Sequence, residues 1–264
     1  MNSVSGKCKA SHPSAPSHQR VRSTCPAAVR DTATPTELIR FQHVRYTPPG
    51  SQSPILRDVS FTLPHTGLAL LVGRSGSGKT TLLSLLAGLS EPTHGCLSLD
   101  ASPEQRSSRE QHTPAHERLR RVGCVFQFPE RHFLGATLAQ ELTFGWPPDE
   151  APPRRATRVA AARTVLAACG LDDLPFGSRL TALSGGLQRR VALAVQLCRA
   201  PDVLLLDEPL AGLDWRARSA LVPLIARVSC RTCVLASTHD TQLLVPLASA
   251  GVWRVEDGRV IRQS

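Results

Sequence analysis

One octapeptide constrains this chain more than any other feature. Gly73-Arg74-Ser75-Gly76-Ser77-Gly78-Lys79-Thr80 fits the pattern G-x-x-x-x-G-K-[ST]. The run before it, Leu68-Ala69-Leu70-Leu71-Val72, reads as a buried strand, and Thr80–Leu89 reads as a helix. A strand that turns through glycines into a helix start curls its backbone N–H groups around an anion, and the helix dipole favours negative charge there. Lys79 is placed to bridge β- and γ-phosphates, the Thr80 hydroxyl to ligate Mg²⁺, and Thr81 to add a contact from the next position. Lys79 is also the only lysine beyond residue 9, although the chain carries 31 Lys and Arg residues. A compact ammonium fits among phosphate oxygens where a planar guanidinium does not.

The remaining pattern predicts an α/β fold. Leu38–Tyr46 and Ile55–Leu63 are β-rich, and Val122–Phe126, Val203–Leu206 and Thr232–Ala236 are apolar enough to be buried strands. Helical patterns separate them, including Arg154–Cys169, which ends at Gly170, and Leu187–Cys198. Apolar strands alternating with helices imply a largely parallel sheet. The end of the chain, Val252–Ile261, carries an Asp-Gly pair and reads as a hairpin. The polar stretch Ala101–Ala115 reads as a surface loop.

Two further segments carry chemistry. Val203-Leu204-Leu205-Leu206-Asp207-Glu208 is an apolar strand ending in two acids. Desolvating an unpaired carboxylate is costly, so this pair needs a purpose. At the carboxyl edge of an α/β sheet, Asp207 would hold the Mg²⁺ shell and Glu208 would polarise an attacking water. Leu183-Ser184-Gly185-Gly186 stands before a helical run, which makes Ser184, Gly185 and Gly186 a second anion site at a helix start.

At these residues the sequence resembles the ATP-binding cassette (ABC) ATPases, over essentially all of residues 36–264. The motif series is in order: phosphate loop Gly73–Thr80, Gln127 as Q-loop, signature Leu183–Gly186, Asp207-Glu208, the D-loop Asp214 and the switch His239. The resemblance implies a P-loop NTPase of the cassette type, with a RecA-like core sheet, an antiparallel β subdomain and a helical subdomain. It implies ATP and Mg²⁺ as cofactors, with Gln127 at the metal. Its partners would be a second cassette, identical or related, paired head to tail, and a transmembrane transporter subunit. It assigns Tyr46 to stacking on adenine, where a half-buried strand tyrosine is the plainer reading, and gives His239 a γ-phosphate contact. The family usually has Gln after the signature glycines; here Leu187 stands there and Gln188 follows.

The segment Val125–Glu130, with Phe133-Leu134, Thr137-Leu138 and Glu141–Trp146, looks like the energy-coupling-factor (ECF) branch, whose importers carry vitamins and transition-metal ions. Its apolar residues Phe128, Phe133, Leu134 and Trp146 read equally as a docking surface or as subdomain core. The alternative function is a soluble ABC ATPase in Fe–S assembly or another non-transport role. With the leader, the chain is similar to chloroplastic members of the plant and algal ABC transporter I family.

Composition narrows the setting. Net charge is +10, but the arginines are spread as pairs such as Arg154-Arg155 and Arg189-Arg190, so nucleic acid is not an expected partner. No apolar run exceeds five residues, far short of the about 20 a spanning helix needs. Residues 1–35 are rich in Ser, Pro, Lys and Arg with one acid, Asp31, and read as a disordered transit peptide. The expected address is the stromal face of the chloroplast inner envelope, with the mitochondrion second. The cysteines lack zinc spacing: Cys230 and Cys233 form the only close pair, and Cys233 falls in a predicted buried strand. Pro114 separates His112 from His116, which argues against a helical metal pair.

Overall fold

The computed structural model describes residues 37–99 and 112–263. The leader and most of the polar stretch after residue 100 therefore lie outside the described residues. Strands β1 (Glu37–Tyr46), β2 (Leu56–Pro64) and β4 (His94–Leu99) form an antiparallel sheet in the order β2-β1-β4. The larger sheet has six strands in the order β5-β6-β7-β3-β8-β9, where β3 is Gly67–Val72, β5 Val122–Val125, β6 Val203–Asp207, β7 Cys233–Thr238, β8 Gly251–Glu256 and β9 Arg259–Gln263. Its first five strands run parallel, and β9 returns antiparallel through the Asp257-Gly258 turn, as the hairpin signal predicts.

Continuous apolar strands serve two cores because successive side chains point to opposite faces. In β3, Ala69 and Leu71 enter the core beneath the antiparallel sheet, while Leu68, Leu70 and Val72 face the other side. Val203/Leu205 against Leu204/Leu206 in β6, and Cys233/Leu235 against Val234/Ala236 in β7, divide in the same way. Helix α1 (Lys79–Leu86) packs into the first core, while α3 (Leu138–Thr143), α4 (Pro152–Ala168), α5 (Gly185–Cys198) and α6 (Trp215–Ser229) supply the second. Two short helices, α2 (Ala115–Arg121) and α7 (Thr241–Leu244), and the 3₁₀ turns Pro129–Arg131, Leu180–Ala182 and Val245–Leu247 complete the described elements.

Several boundaries move from their sequence positions for local reasons. Helix α4 starts two residues early because Pro152 and Pro153 occupy its first turn, where a missing N–H costs nothing. Helix α5 begins at Gly185 because the Ser184 side chain accepts from Leu187 N, making Ser184 the cap. Ala115, expected at the end of a loop, already opens α2. Strand β7 is shifted to Cys233–Thr238, and its polar end Ser237-Thr238 is fully buried.

An ionic knot centres on the buried Arg118 of α2. Arg118 is 0% exposed and donates to Glu91 Oε2 at 2.8 Å, Ser90 O at 3.2 Å and the carbonyl of Thr113. Glu91 also accepts from Ala115 N at 2.8 Å and pairs with His112 Nε2 at 2.9 Å. Burial alone would raise the Glu91 carboxyl, but the hydrogen bonds from Arg118, Ala115 and His112 hold it below its ordinary value. His112 is thus committed to a hydrogen-bond knot, and among the described residues no group of three or more His, Cys, Asp or Glu is arranged to hold a metal ion.

Candidate functional site

The phosphate loop runs from the end of β3 to the start of α1. Gly78 sits at φ 108°, a left-handed backbone that favours glycine. Lys79 is buried, and its Nζ donates to Gly73 O at 2.8 Å and Arg74 O at 3.0 Å, which holds the loop in a ring around the ammonium. Ser77 Oγ is buried without a hydrogen-bond partner. A buried hydroxyl without a partner, beside a caged cation and a helix N-terminus, suits an anionic ligand with several oxygens.

Asp207 ends β6 directly opposite. Its carboxylate accepts from Thr80 Oγ1 at 3.0 Å and from Ser237 Oγ at 2.5 Å. The threonine and the aspartate expected to share a metal are thus already adjacent. Hydroxyl and carboxylate oxygens form a hard donor set that suits Mg²⁺, which keeps most of its shell for water and phosphate. Residue 208 leaves the strand with φ 47°, a conformation rare outside glycine, and its N–H donates to Ser237 Oγ at 3.0 Å and Ser237 O at 3.2 Å. Glu208 Oε2 pairs with His239 Nδ1 at 2.7 Å and accepts from His239 N at 3.3 Å. The Glu208 side chain is 14% exposed while His239 is 67% exposed, so the carboxylate is seated and the imidazole reaches outward.

A cleft of about 530 Å³ collects Ser75, Gly76, Gly78, Lys79, Thr80, Thr81, Gln127, Asp207, Glu208 and His239. Gly73, Arg74 and Ser77 line an adjoining, larger basin that shares Ser75, Gly76 and His239. Tyr46 lines neither cavity. It closes β1, where its carbonyl accepts from Ile55 N at 2.9 Å and its side chain leans on the core beneath the antiparallel sheet. Ile55, unremarkable in the sequence, reaches both cavities instead.

The signature residues gather elsewhere. Ser184 caps α5, Asp214 Oδ1 caps α6 by accepting from Ala217 N at 2.7 Å, and a Cβ on Gly186 would lie 2.7 Å from Ala217 Cβ. The two helix starts therefore touch through the first turn of α6, outside the cleft that holds Lys79 and Glu208. Leu187 leans on the helical-side core, and Gln188 Nε2 donates to Leu180 O at 3.0 Å. The displaced glutamine turns inward and does not move into the vacated position.

Two site residues had weak sequence signals. Ser237 serves both acids, and its signal was a hydroxyl at the end of an apolar strand. Arg189 is buried and donates to Glu208 O at 2.9 Å, Pro209 O at 2.8 Å and Ala211 O at 2.5 Å. In an arginine-rich chain nothing marked it out. Arg218 joins the D-loop region to the switch by donating to Asp240 Oδ2 at 2.8 Å and Leu213 O at 3.0 Å.

Residues 56–211 match the ABC transporter family. The chain is 40% identical over 224 residues to the chloroplastic ABC transporter I family member 11 of Arabidopsis thaliana, covering 84% of this chain and 80% of that protein. It is 36% identical over 230 residues to the energy-coupling factor transporter ATP-binding protein EcfA2 of Lactococcus lactis, covering 85% and 77%. In fold it is similar to the solved structure of cbiO1 from Clostridium perfringens, with a TM-score of 0.73, 24% identity and coverage of 86% and 87%. The phosphate loop, the acidic strand end facing it and these matches lead to one conclusion: the chain belongs to the ABC transporter family as an ATP-binding subunit, an ATPase coupled to transport.

Proposed function

We propose that this chain is the Mg-ATP-hydrolysing subunit of an ECF-type importer for a vitamin or transition-metal ion, and that it works peripherally at the stromal face of the chloroplast inner envelope. The observation that carries the chemistry is the convergence of Lys79, Thr80, Gln127, Asp207, Glu208 and His239 on one cleft. The loop N–H groups and Lys79 hold the phosphates. Mg²⁺, held by Thr80, Asp207 and Gln127, would supply charge neutralisation at the phosphate oxygens. Glu208 takes the proton of the attacking water as its oxygen bonds to the γ-phosphorus, and the bond to the bridging oxygen breaks so that ADP leaves and inorganic phosphate forms. His239, joined to Glu208 at 2.7 Å, stands at the cleft's mouth and contacts the γ-phosphate.

The separation of Ser184–Gly186 and Asp214 from the cleft supports a head-to-tail pair, in which the signature of one cassette completes the nucleotide site of another. From the end of β1, next to Ile55 at the rim of both cavities, Tyr46 would reach adenine by turning off the core. The importer reading draws on EcfA2, named for an energy-coupling factor transporter, and on cbiO1, described as part of the ABC transporter complex cbiONQ. Apolar side chains support a membrane partner: Leu134 and Phe144 are 67% and 65% exposed, and Phe128 stands beside the Q-loop at 41%. Phe133, by contrast, leans on the helical-side core, and Trp146 is half-buried. No helix among the described residues is long and apolar enough to cross a membrane.

Glu208→Gln tests the catalytic assignment. Nucleotide affinity should stay within a few-fold of wild type, while turnover falls by on the order of 10²–10⁴-fold, the range expected of a lost general base. Wild-type turnover by Glu208→Gln would remove Glu208 from the mechanism.

A further inference from the structure

Arg189 is a cation with an unusual set of partners. It is buried in α5, one turn beyond the Ser184 cap, and its guanidinium meets three carbonyl oxygens, those of Glu208, Pro209 and Ala211. These three belong to the turn that leaves β6, and the first of them carries the φ 47° backbone that aims the Glu208 side chain. Left-handed backbone at a bulky residue persists only where the surroundings over-determine it. Two sets of hydrogen bonds do so here: Ser237 holds the N–H of Glu208, and Arg189 holds its C=O.

A third element acts on the same guanidinium through its charge. Burial draws Arg189 below its ordinary value, and the charge of Glu130 works against that shift. Glu130 lies in the 3₁₀ turn Pro129–Arg131, directly after Gln127. Arg189 therefore joins the signature helix to the Glu208 turn.

We infer that Arg189 is a positioning residue for Glu208, setting the angle of the carboxylate from the signature helix and so linking the two ATP sites of a cassette pair. The inference rests on the proposed role of Glu208. The signature of this chain would close over a second cassette's nucleotide, whereas Glu208 serves this chain's own. A rigid guanidinium fork between them turns a displacement of α5 into a displacement of the 208–211 turn. A misplacement of about 1 Å at the reacting group can cost on the order of 10²-fold in rate.

The test uses the full chain with Arg189→Gln, Arg189→Lys and Glu208→Gln, and measures steady-state kcat and KM, binding of a fluorescent ATP analogue, and thermal unfolding. Arg189→Gln should keep nucleotide affinity within about threefold while kcat falls on the order of 10²-fold. Arg189→Lys, able to reach some of the carbonyls, should fold like wild type and recover part of that loss. Wild-type kcat in Arg189→Gln, with Glu208→Gln inactive, overturns the inference and leaves the role of Glu208 standing. Wild-type kcat in Glu208→Gln overturns both. If Arg189→Gln does not fold, Arg189→Lys decides: a Tm near wild type with reduced kcat and unchanged affinity supports positioning. Parallel loss of Tm, affinity and kcat in Arg189→Lys marks a purely structural staple and overturns the inference.

Discussion

Thr80 Oγ1 donates to Asp207 Oδ2 across 3.0 Å, joining the first turn of α1 to the last residue of β6 over a sequence separation of 127. With Ser237 bonding the other carboxylate oxygen at 2.5 Å, the aspartate is held from both sides. Such preorganisation limits what has to be reordered on binding.

Lys79→Ala should abolish tight nucleotide binding. The ammonium is buried and held by Gly73 O and Arg74 O, so its removal deletes the charge at the phosphates and loosens the loop. Hydrogen bonds to charged groups contribute about 1.5–3 kcal/mol each. Titration calorimetry should therefore find Mg-ATP affinity weakened by on the order of 10²-fold or more. An affinity within threefold of wild type would contradict the assignment.

The docking surface is best probed at Leu134 and Phe144. Both are more than half exposed, so Leu134→Asp with Phe144→Asp should fold normally and keep basal ATPase activity. Membrane association in isolated organelles should drop several-fold. Phe133→Asp is a poorer probe because Phe133 packs on the helical-side core, and that change should lower Tm as well. Unchanged membrane association of the double variant would dismiss this surface.

Acid stability should depend on Glu91. Its carboxyl lies below its ordinary value in the fold, so the folded state favours the charged form. The stabilisation is complete above the ordinary carboxylate range and is lost as pH falls through the lowered folded value. Thermal melts from pH 7 to pH 3.5 should show a steeper loss of Tm in wild type than in Glu91→Gln, which begins less stable because Arg118 keeps its charge with one partner fewer. Parallel curves would remove Glu91 as a source of acid lability.

Residues 1–35 should act as an address. Fused to a fluorescent protein, residues 1–50 should enter plastids, as an acid-poor stretch rich in Ser and basic residues would. Purely cytosolic fluorescence would end this reading, and mitochondrial fluorescence would change the compartment.

Much of this protein was legible in the chain because the information is local. The phosphate loop needs glycines and one lysine at set spacing, a buried strand needs an unbroken apolar run, and a helix start needs a side-chain cap; Gly73–Thr80, Val203–Leu206 and Ser184 each met those needs within a few residues. The α/β class followed from such local signals, and Gln127, Asp214 and His239 from the resemblance to the cassette family. Only the tertiary structure decided which of these residues meet. Sheet order places β7 between β6 and β3, so Asp207, Ser237 and Thr80 converge although no spacing rule links them. The same packing turned Phe133 toward the core, drew Gln188 inward to Leu180, left Tyr46 beside the cleft without lining it, and gave Arg189 three carbonyls among many similar arginines. A side chain's periodicity tells which face of its element it occupies, but what that face meets is set by long-range pairing and close packing, which no stretch of sequence contains alone.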